Sequence, residues 1–235
     1  MLAKLKSPRV LLVAVVALVA LFAVAYFTLF NPDSPPELSL ETRGSTEAQA
    51  PPAGDLVGTW TVADGSVAGY RVREKLAQLP APSDAVGRTN AITGQVTISQ
   101  DGSGYTATDA NFTVDVSQLK SDSDRRDGRI REIGLETAKF PQATFAAAGP
   151  IAIPQDAVDG KTVTVPVEGD FNLHGVTKKM SIPLEVRRNG PQIELLGNYE
   201  FAWADFGMSP PNVPPFVSVT GNPKLEFKLL LSKQA

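Results

Sequence analysis

The sequence predicts a mainly β domain behind an apolar N-terminal segment, and three observations carry that reading. Apolar and polar residues alternate with period 2 in four separate segments. Short turn signals stand between them, and helical periodicity is almost absent after the first thirty residues. Many short strands of this kind build a sandwich or an up-and-down barrel.

Residues 1–9 form a basic flank with Lys4, Lys6 and Arg9, and residues 10–30 form an unbroken apolar or weakly polar run. About 21 residues of helix span roughly 31 Å, which matches the hydrocarbon core of a bilayer. The run therefore predicts one N-terminal transmembrane helix, a signal anchor in the plasma membrane. The basic flank predicts a cytoplasmic N-terminus and an extracytoplasmic remainder, which would be secreted if the segment were cleaved. The small residues Ala23-Val24-Ala25 resemble a cleavage site, but a signal peptide's apolar stretch is normally shorter, at about 7–15 residues.

Residues 31–55, which include "NPDSPPELSLETRGSTEAQAPPA", are rich in Pro, Ser, Glu and Thr. They cannot bury enough apolar surface to fold alone and are expected to be a disordered tether. The folded domain is expected over 56–233.

Within it, Phe112, Val114 and Val116 alternate with Asn111, Thr113 and Asp115. Val163, Val165 and Val167 alternate with Thr162, Thr164 and Pro166. Ile182, Leu184 and Val186 alternate with Ser181, Pro183 and Glu185. Leu225, Phe227 and Leu229 alternate with Lys224, Glu226 and Lys228. Each segment reads as a strand with one dry face and one wet face. Further candidates lie at 59–62, 67–76, 91–99, 143–147 and 193–203. "DGSG" at 101–104, "DG" at 159–160, "HG" at 174–175 and "NG" at 189–190 supply the turns. Pro166 and Pro183 interrupt two patterns and suggest edges, bulges or a mistaken strand boundary there.

The chain has no cysteine, which excludes disulfides and thiolate metal sites. The formal net charge is −3, and setting the three cations of the basic flank aside leaves the remainder at −6. So acidic a domain lacks the basic footprint of a nucleic-acid binder.

The charged stretch "SDRRDGRIREIGLETAKFP" fails the calcium-loop spacing, because Arg126, Asp127 and Ile133 stand where a ligand, a glycine and a glutamate belong. It reads instead as a short helix capped by Asp122, Ser123 or Asp124. Ile130 and Ile133 would form its apolar edge, and its arginines would face water or pair with nearby acids. His174 is the only histidine and falls in an expected turn, so neither a zinc site nor a Ser-His pair has its usual partners. No glycine motif for phosphate or dinucleotide binding is present. The aromatic residues on the apolar strand faces fill a core or line a cavity for one apolar ligand; pattern alone leaves both open.

Four stretches, "GTWTVADGSVAGYRVREKL", "VDVSQLKSDSDRRDGRIREIGLETAKFPQATF", "VEGDFNLHGVTKKMSIPLEV" and "YEFAWADFGMS", stand in an order and spacing that resemble the YceI-like, polyisoprenoid-binding family over about residues 56–233. The resemblance implies an eight-stranded antiparallel, lipocalin-like barrel with a short helical crossover and an elongated apolar pocket. It departs from the family pattern at Gly128-Arg129-Ile130 and Gly134-Leu135. It also implies an isoprenoid or other long-chain lipid, of quinone or polyprenyl type, as the ligand of a binding protein with no cofactor, no metal and no enzymatic role. The expected apolar lining is Phe112, Val114, Val116, Phe145, Phe171, Leu184, Phe201, Trp203, Phe206, Met208 and Phe227. The alternative is a cell-surface interaction module with a filled barrel core and a protein partner.

Overall fold

The structure is a computed structural model and describes residues 17–21, 34–40, 55–79 and 81–234. Eleven strands alternate with short helices: β1 (Gly58–Val62), β2 (Val67–Leu76), β3 (Ser83–Thr89), β4 (Ile92–Asp101), β5 (Gly104–Asp115), α1 (Asp124–Arg129), β6 (Gln142–Ala147), β7 (Ile151–Ile153), α2 (Gln155–Val158), β8 (Val163–Leu173), β9 (Val176–Asn189), β10 (Gln192–Glu200) and β11 (Val217–Lys233). The antiparallel ladder runs β1-β4-β5-β6-β8-β9-β10-β11, and β11 pairs back onto β1. Eight strands therefore close a barrel, which removes the exposed edges an open sheet would present.

Two pairings shape the ends. β2 continues beyond β1 along β11, and β3 continues beyond β4 along β2. β5 pairs with β4 but with no residue of β3, so the barrel wall parts between β3 and β5. A two-way backbone bridge from Arg88 to Lys120, at 2.8 and 2.9 Å, joins β3 to the crossover segment that covers this gap.

The crossover starts with α1, capped by Ser123, whose hydroxyl accepts from the Arg126 amide. Asp127 is buried and accepts from the backbone and hydroxyl of Ser121, which ties the helix to the strand end before it. After Arg129 the helix widens into a π-helical turn, Ile130–Gly134, in which the Leu135 amide donates to the Ile130 carbonyl at 2.7 Å. The extra residue per turn rotates the following side chains. Ile130 points inward and is buried, whereas Ile133 is 50% exposed. The common apolar edge expected for these two residues is thus broken.

Other boundaries also differ from the sequence reading. Ser83–Thr89 is a strand without clear alternation. Val116 sits in a 3-10 turn after β5, and β10 stops at Glu200, so Trp203 and Phe206 belong to a tight turn. Pro166 and Pro183 face each other across β8 and β9, and each has a locally unpaired strand edge on its other side, as the edge reading expects. Opposed residues that exchange no hydrogen bonds point their amide positions away from one another. There β6 pairs with β8 only from Gly169 onward, and β10 pairs with β9 only from Leu184 onward, so no ladder bond is lost.

The segment 34–40, expected to be disordered, lies against the outer face of β2, β3 and β11. The Ser34 hydroxyl donates to the Asp84 carbonyl and accepts from its amide, at 2.9 and 3.0 Å. Arg71 and Arg88 donate to the carbonyls of Pro35 and Pro36. Beneath it, Arg71 and Arg88 share the Glu226 carboxylate, which is only 2% exposed. The expected membrane helix over 10–30 lies outside the described residues except for 17–21, which are helical. Among the described residues no helix is long and apolar enough to cross a membrane.

Candidate functional site

The barrel interior is hollow. Along β8, Val163, Val165, Val167, Phe171 and Leu173 turn inward, and along β9 Met180, Ile182, Leu184 and Val186 do the same. A solid core would bury all of them, yet Val165, Leu184, Phe112, Phe145, Leu195 and Phe227 remain only half-buried. They border a continuous cavity with an almost wholly apolar lining. Two packed clusters flank it, one around Trp60 and one around Phe206, with Val114 and Phe227 touching both. A filled barrel core does not occur.

Glycines keep the interior open. Gly94 faces Phe112, Gly197 faces Phe227 and Gly87 faces Tyr70 in register, while Gly169 lies diagonal to Phe145. A Cβ added at Gly94, Gly169 or Gly197 would meet the aromatic ring at 2.4 Å, and one at Gly87 would meet Tyr70 at 2.3 Å. Each ring therefore lies flat across the neighbouring strand, where a side chain would otherwise lift it into the lumen. A glycine in a strand interior often marks such a close approach.

The two ends are closed differently. At one end Trp60, 1% exposed, donates its indole N–H to the Leu56 carbonyl at 2.8 Å and packs with Ile98 and Leu231. At the other end the crossover runs from the β2–β3 side to the β8–β9 turn. Arg126 pairs there with Glu74 of β2 and with Asp122, rather than with its neighbour Asp127. Hydrogen bonds to Glu74 and Asp122 raise the Arg126 pKa, although burial alone would lower it. His174 occupies the expected turn with φ +53°, its ring nitrogens 3.1 Å from the Phe206 carbonyl and 3.0 Å from the Glu136 carboxylate. Lys139 and His174 hydrogen bonds hold the Glu136 carboxyl below its usual range. His174 thus pins three segments together at the far side of the crossover.

Of the expected lining residues, Phe112, Val114, Val116, Phe145, Phe171, Leu184, Phe201, Trp203, Met208 and Phe227 border the cavity. Phe206 does not. It is 1% exposed and stacks edge-to-face on Phe171 and Phe201, at ring separations of 5.5 and 5.1 Å, so it supports the wall from behind. The sequence reading omitted Tyr70, Ile130 and Leu135, which also line the cavity. Alternation places Tyr70 on the inner face, but the crossover residues carry no strand periodicity that could have flagged them. Among the described residues no cluster of His, Asp and Glu is arranged to hold a metal ion.

Comparison with known proteins gives a match to the YceI-like domain family over residues 60–231. A UPF0312 protein of Vibrio vulnificus is 36% identical over 100 residues, which are 42% of this chain; the chain spans about half the length of that relative, 48%. Among solved structures, a polyisoprenoid binding domain from Saccharophagus degradans implicated in plant cell wall breakdown superposes with a TM-score of 0.55 at 19% identity, covering 76% of this chain and 99% of that one. BcnA of Burkholderia cenocepacia matches at 17% identity with a TM-score of 0.47, over 68% of this chain and 95% of its own. At 19% identity the likeness to the Saccharophagus degradans domain bears on the fold alone.

Proposed function

Because the chain belongs to the YceI-like family, we propose that its barrel is a lipid-binding module that holds an isoprenoid chain, of quinone or polyprenyl type, in the central cavity. The observation that carries this reading is the hollow apolar interior kept open by aromatic rings lying flat on glycines. An isoprenoid tail offers almost no polar groups, so its affinity comes from apolar area removed from water, about 25 cal/mol per Å² before the costs of binding. The lining residues from Phe112 to Phe227 supply that area, and the role is one of carrying or sensing a lipid rather than of catalysis. The solved Saccharophagus degradans domain, described as polyisoprenoid binding, supports the same reading by analogy of fold.

The apolar run 10–30 and its basic flank support a placement at the plasma membrane, with the N-terminus cytoplasmic and the barrel on the extracytoplasmic side. Alkaline extraction and protease access to the barrel in intact cells test that placement. Organic extraction of the purified full chain followed by mass spectrometry tests the ligand. A stoichiometric prenyl species is the expected result, and a clean extract together with no uptake of added prenyl lipid rejects the reading.

A further inference from the structure

Among the described residues, three buried side-chain polar atoms have no hydrogen-bond partner: the Tyr70 hydroxyl and the Nε atoms of Arg126 and Arg129. All three belong to the end of the barrel that the crossover covers. A buried donor left unpaired destabilises the fold, so three of them in one region call for an explanation. Of the three residues, Tyr70 alone lines the cavity. Its ring lies across Gly87, and a Cβ there would come within 2.9 Å of the hydroxyl oxygen. The hydroxyl is thus carried over β3 toward the parted wall and the crossover, where Arg126, Asp127, Glu74 and Asp122 all act on it. Burial, the largest influence, raises the Tyr70 pKa far above the ordinary phenol range and keeps the group a donor.

We propose that Tyr70 is the polar contact of the cavity, donating its hydroxyl hydrogen to an uncharged carbonyl or hydroxyl oxygen on the head of a prenylated ligand whose tail runs toward Trp60. The inference rests on the lipid-binding reading above and adds the orientation and head-group class. Three facts support it. The Tyr70 hydroxyl has a hydrogen with no acceptor in the fold, and an oxygen acceptor on the ligand would complete it. Arg126 is already shared by Glu74 and Asp122, and Arg129 donates to the Asn212 carbonyl, so neither guanidinium is held in reserve for a multiply charged anion. The carboxylates of Glu74, Asp122 and Asp127 around the hydroxyl oppose a diphosphate. The length also fits a tail. Tyr70 stands opposite Leu225 of β11, and Leu231 of the same strand packs with Trp60. Six residues of strand between them give a run of about 20 Å.

The test offers the purified full chain in detergent an equimolar mixture of a diprenyl benzoquinone, squalene and farnesyl diphosphate. Squalene has the isoprenoid tail without a head group. After gel filtration and organic extraction, mass spectrometry measures the retained ratios in the native protein and in Tyr70→Phe. The substitution removes one oxygen and keeps the ring on Gly87, and the melting temperature of the ligand-free variant is expected to equal or exceed that of the native chain. The native protein should favour quinone over squalene, and Tyr70→Phe should lower that ratio about tenfold, equivalent to about 1.4 kcal/mol. An unchanged ratio overturns the assignment of Tyr70. Equal loss of quinone and squalene overturns it too, because Tyr70 would then shape the cavity rather than read the head. Preferential retention of the diphosphate by the native protein overturns the uncharged head group. Retention of no prenyl species by the native protein rejects the lipid reading itself, an outcome visible without the variant.

Discussion

At the Trp60 end of the barrel, Leu56, Trp60, Ile98 and Leu231 are each 2% exposed or less, and the one polar group among their side chains, the indole N–H, is bonded internally. At the α1 end, closure depends on a split wall, a six-residue helix, ion pairs and a histidine clasp, with three buried polar atoms left unpartnered. The first end is sealed by non-directional packing, which resists opening in proportion to the apolar area it hides. The second is sealed by directional contacts that break one at a time. A binding barrel with both kinds of closure has a fixed floor and a lid.

The largest test of the contrast is Trp60→Ala, expected to cost about 3–5 kcal/mol in urea unfolding because it empties the floor of a large buried ring. Loss of stability without a change in the quinone-to-squalene ratio would separate floor from lid. Next comes Arg126→Leu, which leaves Glu74, 4% exposed, without its cation. Removing one partner of a buried pair costs about 3–5 kcal/mol, and the lower end applies because the Arg126 side chain keeps 16% exposure. Prebound lipid should leave this variant faster, and adding Glu74→Leu should recover part of the stability.

Gly197→Ala sharpens the comparison from the middle of the barrel. The new methyl would meet Phe227 at 2.4 Å and Leu184 at 2.8 Å, so the ring must rise into the lumen. Strain of about 1–3 kcal/mol and a drop in retained prenyl lipid are expected. Ile133→Asn on the outer face of the lid should change stability by no more than about 0.5 kcal/mol, whereas Ile130→Asn, at the buried first residue of the π-helical turn, should cost several times that.

The smallest effect is acid loosening of the lid. Glu136 has its folded pKa held below the ordinary glutamate value of 4.5, so its contribution is complete above that value and is lost as pH falls through the folded pKa. Amide exchange at 130–140 should therefore accelerate below about pH 4.5 before exchange around Trp60 does. Simultaneous acceleration at both ends would remove the distinction.

Much of the barrel was legible because a half-buried strand writes its inner face every second residue. The alternation of Val163, Val165 and Val167, and of Ile182, Leu184 and Val186, assigns each set to one face, and the strands carry that face on to Leu173 and back to Met180. The hollow was not legible, since Phe112 reads alike whether it stands in a packed core or lies down on Gly94; only cross-strand register distinguishes the two. The lid was half legible. Ser123 and the charge pattern announced a short helix, but the π-helical turn that swings Ile133 outward has no marker in the apolar spacing. Phe206 shows the remaining ambiguity: an apolar residue in the right segment can stand behind a wall as readily as on it.

The docking of 34–40 on the barrel changes the mechanics of attachment. A free tether of about 25 residues would let the domain wander some 25–30 Å from its point of anchorage. With Ser34 fixed at Asp84, only residues 31–33 separate the barrel from the end of the apolar run. Four extended steps span at most about 14 Å. On the proposed anchored reading the leash becomes a bracket. The domain then exchanges cargo with the membrane at short range from a restricted set of poses, at the expense of reaching anything distant.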